Sequence, residues 1–187
     1  MTSMSRLSLL LLLLGLVVSC PALSAADGSV YQDDPWFTVT APEGWRLAPG
    51  EGYVQLNGPG GVFVRLYAIG LRSIGGKYRN LEHAVDDLIF QVRDELGGTV
   101  TAKRDMPVTL AAEQKVTARG FDGSYQQGKR RIDTRFLVLP HPATGMVLSI
   151  QHAGPPKRYA ASEEAVQSIL ATITFRQPRP AEDVASE

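Results

Sequence analysis

Alternation of apolar and polar positions along the chain predicts a domain rich in β-strands. In the segment 62–69 both alternating faces carry apolar side chains, which favours a strand in a sheet that is covered on both sides. One face holds Val62, Val64, Leu66 and Ala68, and the other holds Phe63, Arg65, Tyr67 and Ile69. Six further runs rich in β-branched, aromatic or aliphatic residues are predicted to be strands. They are 36–40, 53–56, 99–103, 114–121, 131–139 and 146–151.

Turn-forming residues show how neighbouring strands connect. The stretch 57–61 reads Asn-Gly-Pro-Gly-Gly and predicts a hairpin between 53–56 and 62–69. The polar stretch 126–129, Gln-Gln-Gly-Lys, predicts a second hairpin between 114–121 and 131–139. Mostly antiparallel neighbours are therefore expected.

Two segments place apolar residues at helical spacing instead. The first is predicted to begin after the N-cap residue Asn80 and to run to Leu96, where Gly97 and Gly98 end it. Its apolar stripe, which must lie on the sheet, consists of Leu81, Val85, Leu88, Val92 and Leu96. The second is predicted to begin at Ser162, after Pro155 and Pro156. Its apolar face consists of Val166, Ile169, Leu170 and Ile173.

This order of elements predicts the α+β class, with an antiparallel β-sheet of about six to seven strands and helices packed on its faces. The opening stretch, 37–45, reads Phe-Thr-Val-Thr-Ala-Pro-Glu-Gly-Trp. The closing stretch, 168–175, reads Ser-Ile-Leu-Ala-Thr-Ile-Thr-Phe and is interpreted as a helix. These two stretches resemble the Mog1/PsbP-like fold family, which includes DcrB-like exported proteins. The resemblance covers about residues 36–175 and implies an α/β/α sandwich. It also implies a non-enzymatic partner of other proteins, because members act beside a GTPase, a photosystem or a secretion effector.

The N-terminus predicts export. A start with one cation, Arg6, precedes an apolar run over 7–18, which is typical of a secretory signal within residues 1–26. About 12 apolar residues of helix cover about 18 Å, less than the ~30 Å of hydrocarbon in a bilayer. Two alternatives stay open: acylation of Cys20, since 17–20 resemble a lipobox, or ordinary cleavage after Ala26. The predicted protein is therefore periplasmic, either soluble or held to a membrane only by a lipid at Cys20.

The rest of the chain is expected to form one domain. A leader over 27–35 precedes the domain 36–175, and the proline-containing end 176–187 is expected to be disordered. An apolar content of 44% allows a continuous core. The 19 basic and 19 acidic side chains balance, which argues against nucleic-acid binding driven by net charge. Cys20 is the single cysteine, so disulfides and cysteine-bound metals are not expected in the mature domain.

Candidate chemistry is sparse. His83 and Asp87 stand one helical turn apart and could share a cation, as could Glu82 and Asp86, but two ligands do not define a metal site. The other reading of both pairs is a solvated helix face. His152 continues an apolar strand face and is expected to be a packed or capping residue, and His141 lies between two prolines in a turn. No cofactor or metal is predicted.

A second chemical hypothesis concerns paired carboxylates. If residues 127–128 formed the two-residue turn of the second hairpin, Asp122 would stand opposite Asp133, and two close carboxylates raise one pKa as general-acid catalysis requires. A slip of one residue would separate the two side chains onto opposite faces. A periplasmic hydrolase, metal-dependent or acid/base, is therefore the alternative function.

Two surface features predict contact with another protein. The first is a basic cluster at a hairpin tip, which consists of Lys129, Arg130 and Arg131. It either binds an anionic surface or prevents the strand edge from pairing with another strand. Phe90 falls on the helix side of Asp87 and Asp94, opposite the apolar stripe, where it either packs beneath another segment or marks an interface. The sequence thus predicts a non-enzymatic, protein-binding domain of the bacterial envelope, with an immunity-like or a chaperone-like role.

Overall fold

The computed structural model describes residues 29–32 and 36–176. Strands are the commonest elements in this part of the chain. They are β1 (Val30–Tyr31), β2 (Phe37–Thr40), β3 (Arg46–Gly50), β4 (Tyr53–Asn57), β5 (Phe63–Gly70), β6 (Thr99–Val100), β7 (Arg104–Thr109), β8 (Lys115–Gln127), β9 (Arg130–Pro140), β10 (Met146–Gly154) and β11 (Thr174–Phe175).

The main sheet is antiparallel and has eight strands, one more than the upper expectation. Its order is β3-β4-β5-β10-β9-β8-β6, and β7 pairs with β8 beside β6. The sequence did not predict β3 or β7, which carry Pro49 and Pro107 respectively. Each of these strands pairs with one neighbour only, β3 with β4 and β7 with β8. Proline is tolerated in such strands because no second neighbour needs the N–H that proline lacks.

A smaller three-stranded sheet, in the order β1-β2-β11, closes one side of the molecule. Its strand β1 falls within the predicted leader, and β11 falls within the stretch taken as closing helix. That part of the helix prediction is wrong, because the helix ends at Leu170 and the chain then turns to pair with β2. The buried ring of His141 packs between Trp36 and Phe175 beside this sheet.

Within the described residues, three helices accompany the sheets: α1 (Leu81–Phe90), α2 (Pro156–Ala161) and α3 (Glu163–Leu170). The Asn80 side chain caps α1 by accepting the N–H of His83 at 2.9 Å, as predicted. After Phe90 the chain continues as a π turn over Gln91–Glu95, and Gly97 follows in the left-handed conformation. One-turn 3-10 helices occur at Pro59–Gly61, Arg72–Ile74 and Ala111–Glu113.

The main sheet has a hydrophobic core on each face, as the two apolar faces of segment 62–69 predicted. On one face α1 packs over β8 and β9. This core contains Val85, Leu88, Val92, Phe121, Phe136, Val138 and Val147. The other face packs against α3 and the small sheet. That core includes Phe37, Val39, Leu56, Val64, Leu66, Leu139, Ile150, Val166, Ile169 and Leu170.

Some predictions fall on residues that the structure leaves undescribed. The signal sequence, Cys20 and residues 177–187 lie outside the described ranges. Arg176, the first residue of the predicted tail, is described and donates its backbone N–H to the carbonyl of Trp36 at 2.9 Å. Among residues 29–32 and 36–176, no helix is both long and apolar enough to cross a lipid bilayer.

Candidate functional site

The basic cluster lies where the sequence placed it, at the tip of a β-hairpin. A two-residue turn, Gly128–Lys129, joins β8 to β9, and Gln127 pairs with Arg130. Lys129, Arg130 and Arg131 are all exposed, and Arg131 Nε lies 2.9 Å from Asp133 Oδ1. The tip therefore presents a positive, solvated surface.

Phe90 lies at the end of α1 and is 44% exposed. Next to it along the helix surface, Arg93 and Asp94 form an exposed ion pair at 3.0 Å. The chain that follows α1 returns to the sheet at Gly98, which packs against Tyr125, two residues before the end of β8. The aromatic side chain and the basic hairpin tip therefore lie at the same end of the molecule.

Asp87 does not share this exposed surface. Its Oδ2 accepts hydrogen bonds from the Tyr78 hydroxyl at 2.7 Å, from Lys77 Nζ at 3.1 Å and from Gln91 Nε2 at 3.1 Å. Burial raises the pKa of Asp87, but these three donors outweigh burial, so its pKa lies below the ordinary value. Asp87 is thus the centre of a polar network at the helix–sheet boundary.

The two helix pairs considered as metal ligands have other partners. His83 Nδ1 accepts the backbone N–H of Arg79 at 3.3 Å. Glu82 and Asp86 both contact Lys103 Nζ, at 2.8 Å and 2.7 Å. Within the described residues, no three side chains of the types His, Cys, Asp and Glu come together as a metal site.

The hypothesis that Asp122 could stand opposite Asp133 is contradicted by the register of the hairpin. The turn lies one residue later than assumed, so Asp122 pairs with Arg135 across the hairpin, and Ser124 pairs with Asp133. Asp122 accepts a hydrogen bond from Arg135 Nε at 2.8 Å and another from Arg104 Nη2. Burial raises the pKa of Asp122, but the two guanidinium groups outweigh burial and lower it overall. This carboxylate is held ionised, which is the opposite of a general acid.

A serine–histidine contact occurs at the start of α3, and the sequence did not predict it. His152 Nε2 lies 2.9 Å from Ser162 Oγ, and the imidazole stacks on the Tyr159 ring at 4.1 Å. The Ser162 hydroxyl donates to the Tyr159 carbonyl at 2.8 Å, so Nε2 carries the proton that bonds Ser162 Oγ. His152 is therefore the donor here and does not take the serine proton. Its packing confirms the interpretation of His152 as a packed residue.

The capping prediction for Ser162 is half right. Ser162 does occupy the N-cap position of α3, but its side chain makes no capping hydrogen bond, because the hydroxyl turns back to Tyr159. Glu163, the first residue of α3, instead accepts a hydrogen bond from Arg135 Nη1 at 2.7 Å. Asp122, Arg135 and Glu163 thus link β8, β9 and α3 in one chain of ion pairs.

A cavity of about 250 Å³ lies on the α1 face of the sheet, and it was not predicted. Its walls come from β4, β5, β9, β10, the loop before α1 and the π turn after it. The lining residues are Gly52, Tyr53, Arg65, Tyr67, Ile69, Lys77, Tyr78, Gln91, Phe136 and Gln151. The one sequence feature that points to this cavity is Arg65, a cation on an otherwise apolar strand face.

Comparison with known proteins supports the fold. No protein-family model matches the sequence, and no curated protein matches it significantly. LpqN of Mycobacterium tuberculosis, a protein involved in cell envelope biogenesis, superposes with a TM-score of 0.52 at 15% identity, over 80% of this chain and 86% of LpqN. PA94 of Pseudomonas aeruginosa, a protein of unknown function, superposes with a TM-score of 0.50 at 16% identity, over 82% of this chain and 99% of PA94.

A structure from Bacteroides thetaiotaomicron has a TM-score of 0.52 at 14% identity. The match covers 81% of this chain and 49% of that protein, so this chain spans about half its length. At such identities the likeness is one of fold. The fold is the Mog1/PsbP-like fold, as the resemblance in the sequence predicted.

Proposed function

We propose that this chain, a domain with the Mog1/PsbP-like fold, is an exported, non-enzymatic protein of the bacterial envelope that acts by binding another protein. The observation that carries the proposal is the exposure of Phe90 at the end of α1. Scattered apolar side chains are normal on a protein surface, but aromatic residues are enriched in the buried centres of interfaces. Phe90 is the most exposed aromatic side chain among the described residues.

The charges around Phe90 indicate the chemistry of the partner surface. Arg93 and Asp94 form a mixed pair beside the ring, and the basic tip of Lys129, Arg130 and Arg131 lies at the same end of the molecule. A partner with an apolar socket and an acidic rim would complement this end, because opposite charges at a rim steer association.

The proposal predicts that Phe90→Asp abolishes complex formation and changes the melting temperature by less than about 3 °C, since surface substitutions are mostly within ±0.5 kcal/mol. Capture of partners from envelope extracts by the tagged protein, followed by mass spectrometry, measures the first effect. Calorimetry measures the second. A large drop in melting temperature would show that Phe90 supports the fold instead.

Ile74→Asp provides the matched control. Ile74 is 49% exposed, as much as Phe90, but lies in the 3-10 turn after β5, beside Gly145. A protein that is captured by the wild type and by Ile74→Asp, but lost with Phe90→Asp, is the expected partner. Equal recovery of every protein by Phe90→Asp and the wild type would contradict the proposed surface.

Export is the other part of the proposal, and it rests on the apolar run over 7–18. Intact-mass measurement of the protein from its own host is expected to give a chain that starts at Asp27, or one that starts at Cys20 and carries acyl groups. A chain that still begins at Met1 would contradict export.

A further inference from the structure

The cavity beside α1 differs from the surface around Phe90 in both shape and chemistry. Helix α1 covers β8 and β9, and the cavity lies on the same sheet face over β5 and β10. Four aromatic rings line it, from Tyr53, Tyr67, Tyr78 and Phe136. Its volume, about 250 Å³, is a little below the ~300–1,000 Å³ typical of small-molecule sites. These features suit a compact apolar molecule better than a protein segment.

One arginine and two glutamines bring buried polar side chains to the cavity wall. Arg65 is 7% exposed, and Gln91 and Gln151 are similarly buried. The Arg65 guanidinium donates to Gln55 Oε1 from Nε at 2.9 Å and from Nη2 at 2.7 Å, and it lies 5.0 Å from the centre of the Tyr53 ring. These contacts fix the orientation of a cationic group in the cavity wall.

The charges in this region favour an anionic ligand. Lys77, at the cavity edge, is paired with Asp87 at 3.1 Å, and Arg65 places a second cationic group in the cavity wall. Burial lowers the pKa of Arg65, and the neighbouring tyrosines offset only part of this effect. An anion brought into the cavity would interact with a desolvated guanidinium, where charge-assisted hydrogen bonds are strongest.

We propose that this cavity binds a small monocarboxylate with a single apolar body, an alkyl chain or an aromatic ring, whose carboxylate faces Arg65. The apolar body would lie along the aromatic lining. Hydrogen bonds between a cationic donor and a carboxylate are stronger than those to a neutral hydroxyl, which is the reason to expect a carboxylic acid and not an alcohol of the same shape. This activity goes beyond the proposed protein-binding role and does not depend on Phe90.

The test uses calorimetric titration of the purified protein with sodium octanoate and with 3-phenylpropionate, the alkyl and aromatic forms of the proposed ligand. At least one is expected to bind with a stoichiometry of one, and at least tenfold more tightly than 1-octanol. Arg65→Gln should remove this preference for the carboxylate, whereas Arg65→Lys should retain part of it. The control Arg46→Gln, at an exposed arginine on β3, should bind like the wild type.

A second variant keeps the test decisive if Arg65→Gln does not fold. Ile69→Phe places a larger side chain in the cavity wall without changing Arg65, so it should weaken binding of the carboxylate at least tenfold. Absence of binding to the wild type, equal affinity for octanoate and 1-octanol, or unchanged binding by Ile69→Phe would each overturn the proposal. Phe90→Asp should leave carboxylate binding unchanged, so failure of one proposal can be told from failure of the other.

Discussion

Replacing Phe121 by alanine is expected to lower the free energy of unfolding by about 3–5 kcal/mol, the usual cost of removing a buried phenylalanine. Phe121 is 0% exposed in the centre of β8 and stacks on Phe136 with ring centres 5.2 Å apart. It packs in the same core as Val85 and Leu88 of α1. The substitution therefore removes part of the packing that joins the helix to the long hairpin, and the melting temperature should fall by about 10–20 °C.

Urea unfolding followed by circular dichroism measures this effect. Phe90→Ala makes the same chemical change at an exposed position, so it should cost less than about 1 kcal/mol. Phe121→Leu should give an intermediate loss and is the variant to use if Phe121→Ala does not fold. A loss below about 1 kcal/mol for Phe121→Ala would show that α1 does not pack on β8 as described.

The elements with strong periodicity were the ones that the sequence could predict. Segment 62–69 carried apolar side chains on both faces, and both faces of β5 are indeed covered. Asn80 and Gly97 marked the bounds of the first helical segment because capping is a local interaction. By contrast β3 and β7 contain proline, and their pairing is set by neighbouring strands that a local pattern does not show.

The hairpin between β8 and β9 shows why a small error in register changed a chemical hypothesis. The turn assumed in that hypothesis, 127–128, and the observed turn, 128–129, both place Gly128 in a central position. Moving the turn by one residue shifts every cross-strand partner by two, so Asp122 meets Arg135 instead of Asp133. Opposite charges are favoured across strands and like charges are not, and this rule selects the observed register from the sequence.

The cavity was beyond the reach of sequence patterns for a different reason. Its lining residues come from six separate segments between Gly52 and Gln151, and only the sheet order brings them together. The contact between His152 and Ser162 could not be predicted from a local pattern either, because it depends on how the chain after β10 packs back against that strand. In the sequence, the only local indication of a cavity on this face was Arg65, a cation on an otherwise apolar strand.

The stability of the protein is expected to fall by about 3 kcal/mol between pH 7 and pH 4 because of His152 alone. Burial lowers the pKa of His152 from 6.5 to about 4, while the unfolded chain keeps the ordinary value. Between these two values the unfolded state binds a proton that the folded state does not. This contribution is therefore complete above pH 6.5 and is lost as the pH falls to about 4.

Burial has a larger effect on the pKa of His152 than the charged groups that face it. Glu163 raises its pKa and Arg135 lowers it, while Asp122 adds a smaller upward effect, and burial outweighs all three. Tyr159, which stacks on the imidazole, has a pKa raised by burial to about 12 and stays neutral throughout. The pKa of Asp122 lies below its ordinary value of 3.8, so this carboxylate remains ionised down to pH 4.

His152→Gln tests the prediction, because glutamine retains a side-chain N–H donor toward Ser162 but does not titrate. Urea unfolding of both proteins at pH 7.5, 6, 5 and 4 should show the wild type losing about 3 kcal/mol more than the variant over this range. A proton NMR titration of the wild-type imidazole should give a midpoint near 4. Parallel pH profiles, or an imidazole midpoint near 6.5, would show that His152 is accessible to water in the folded protein and that the stack on Tyr159 does not shield it.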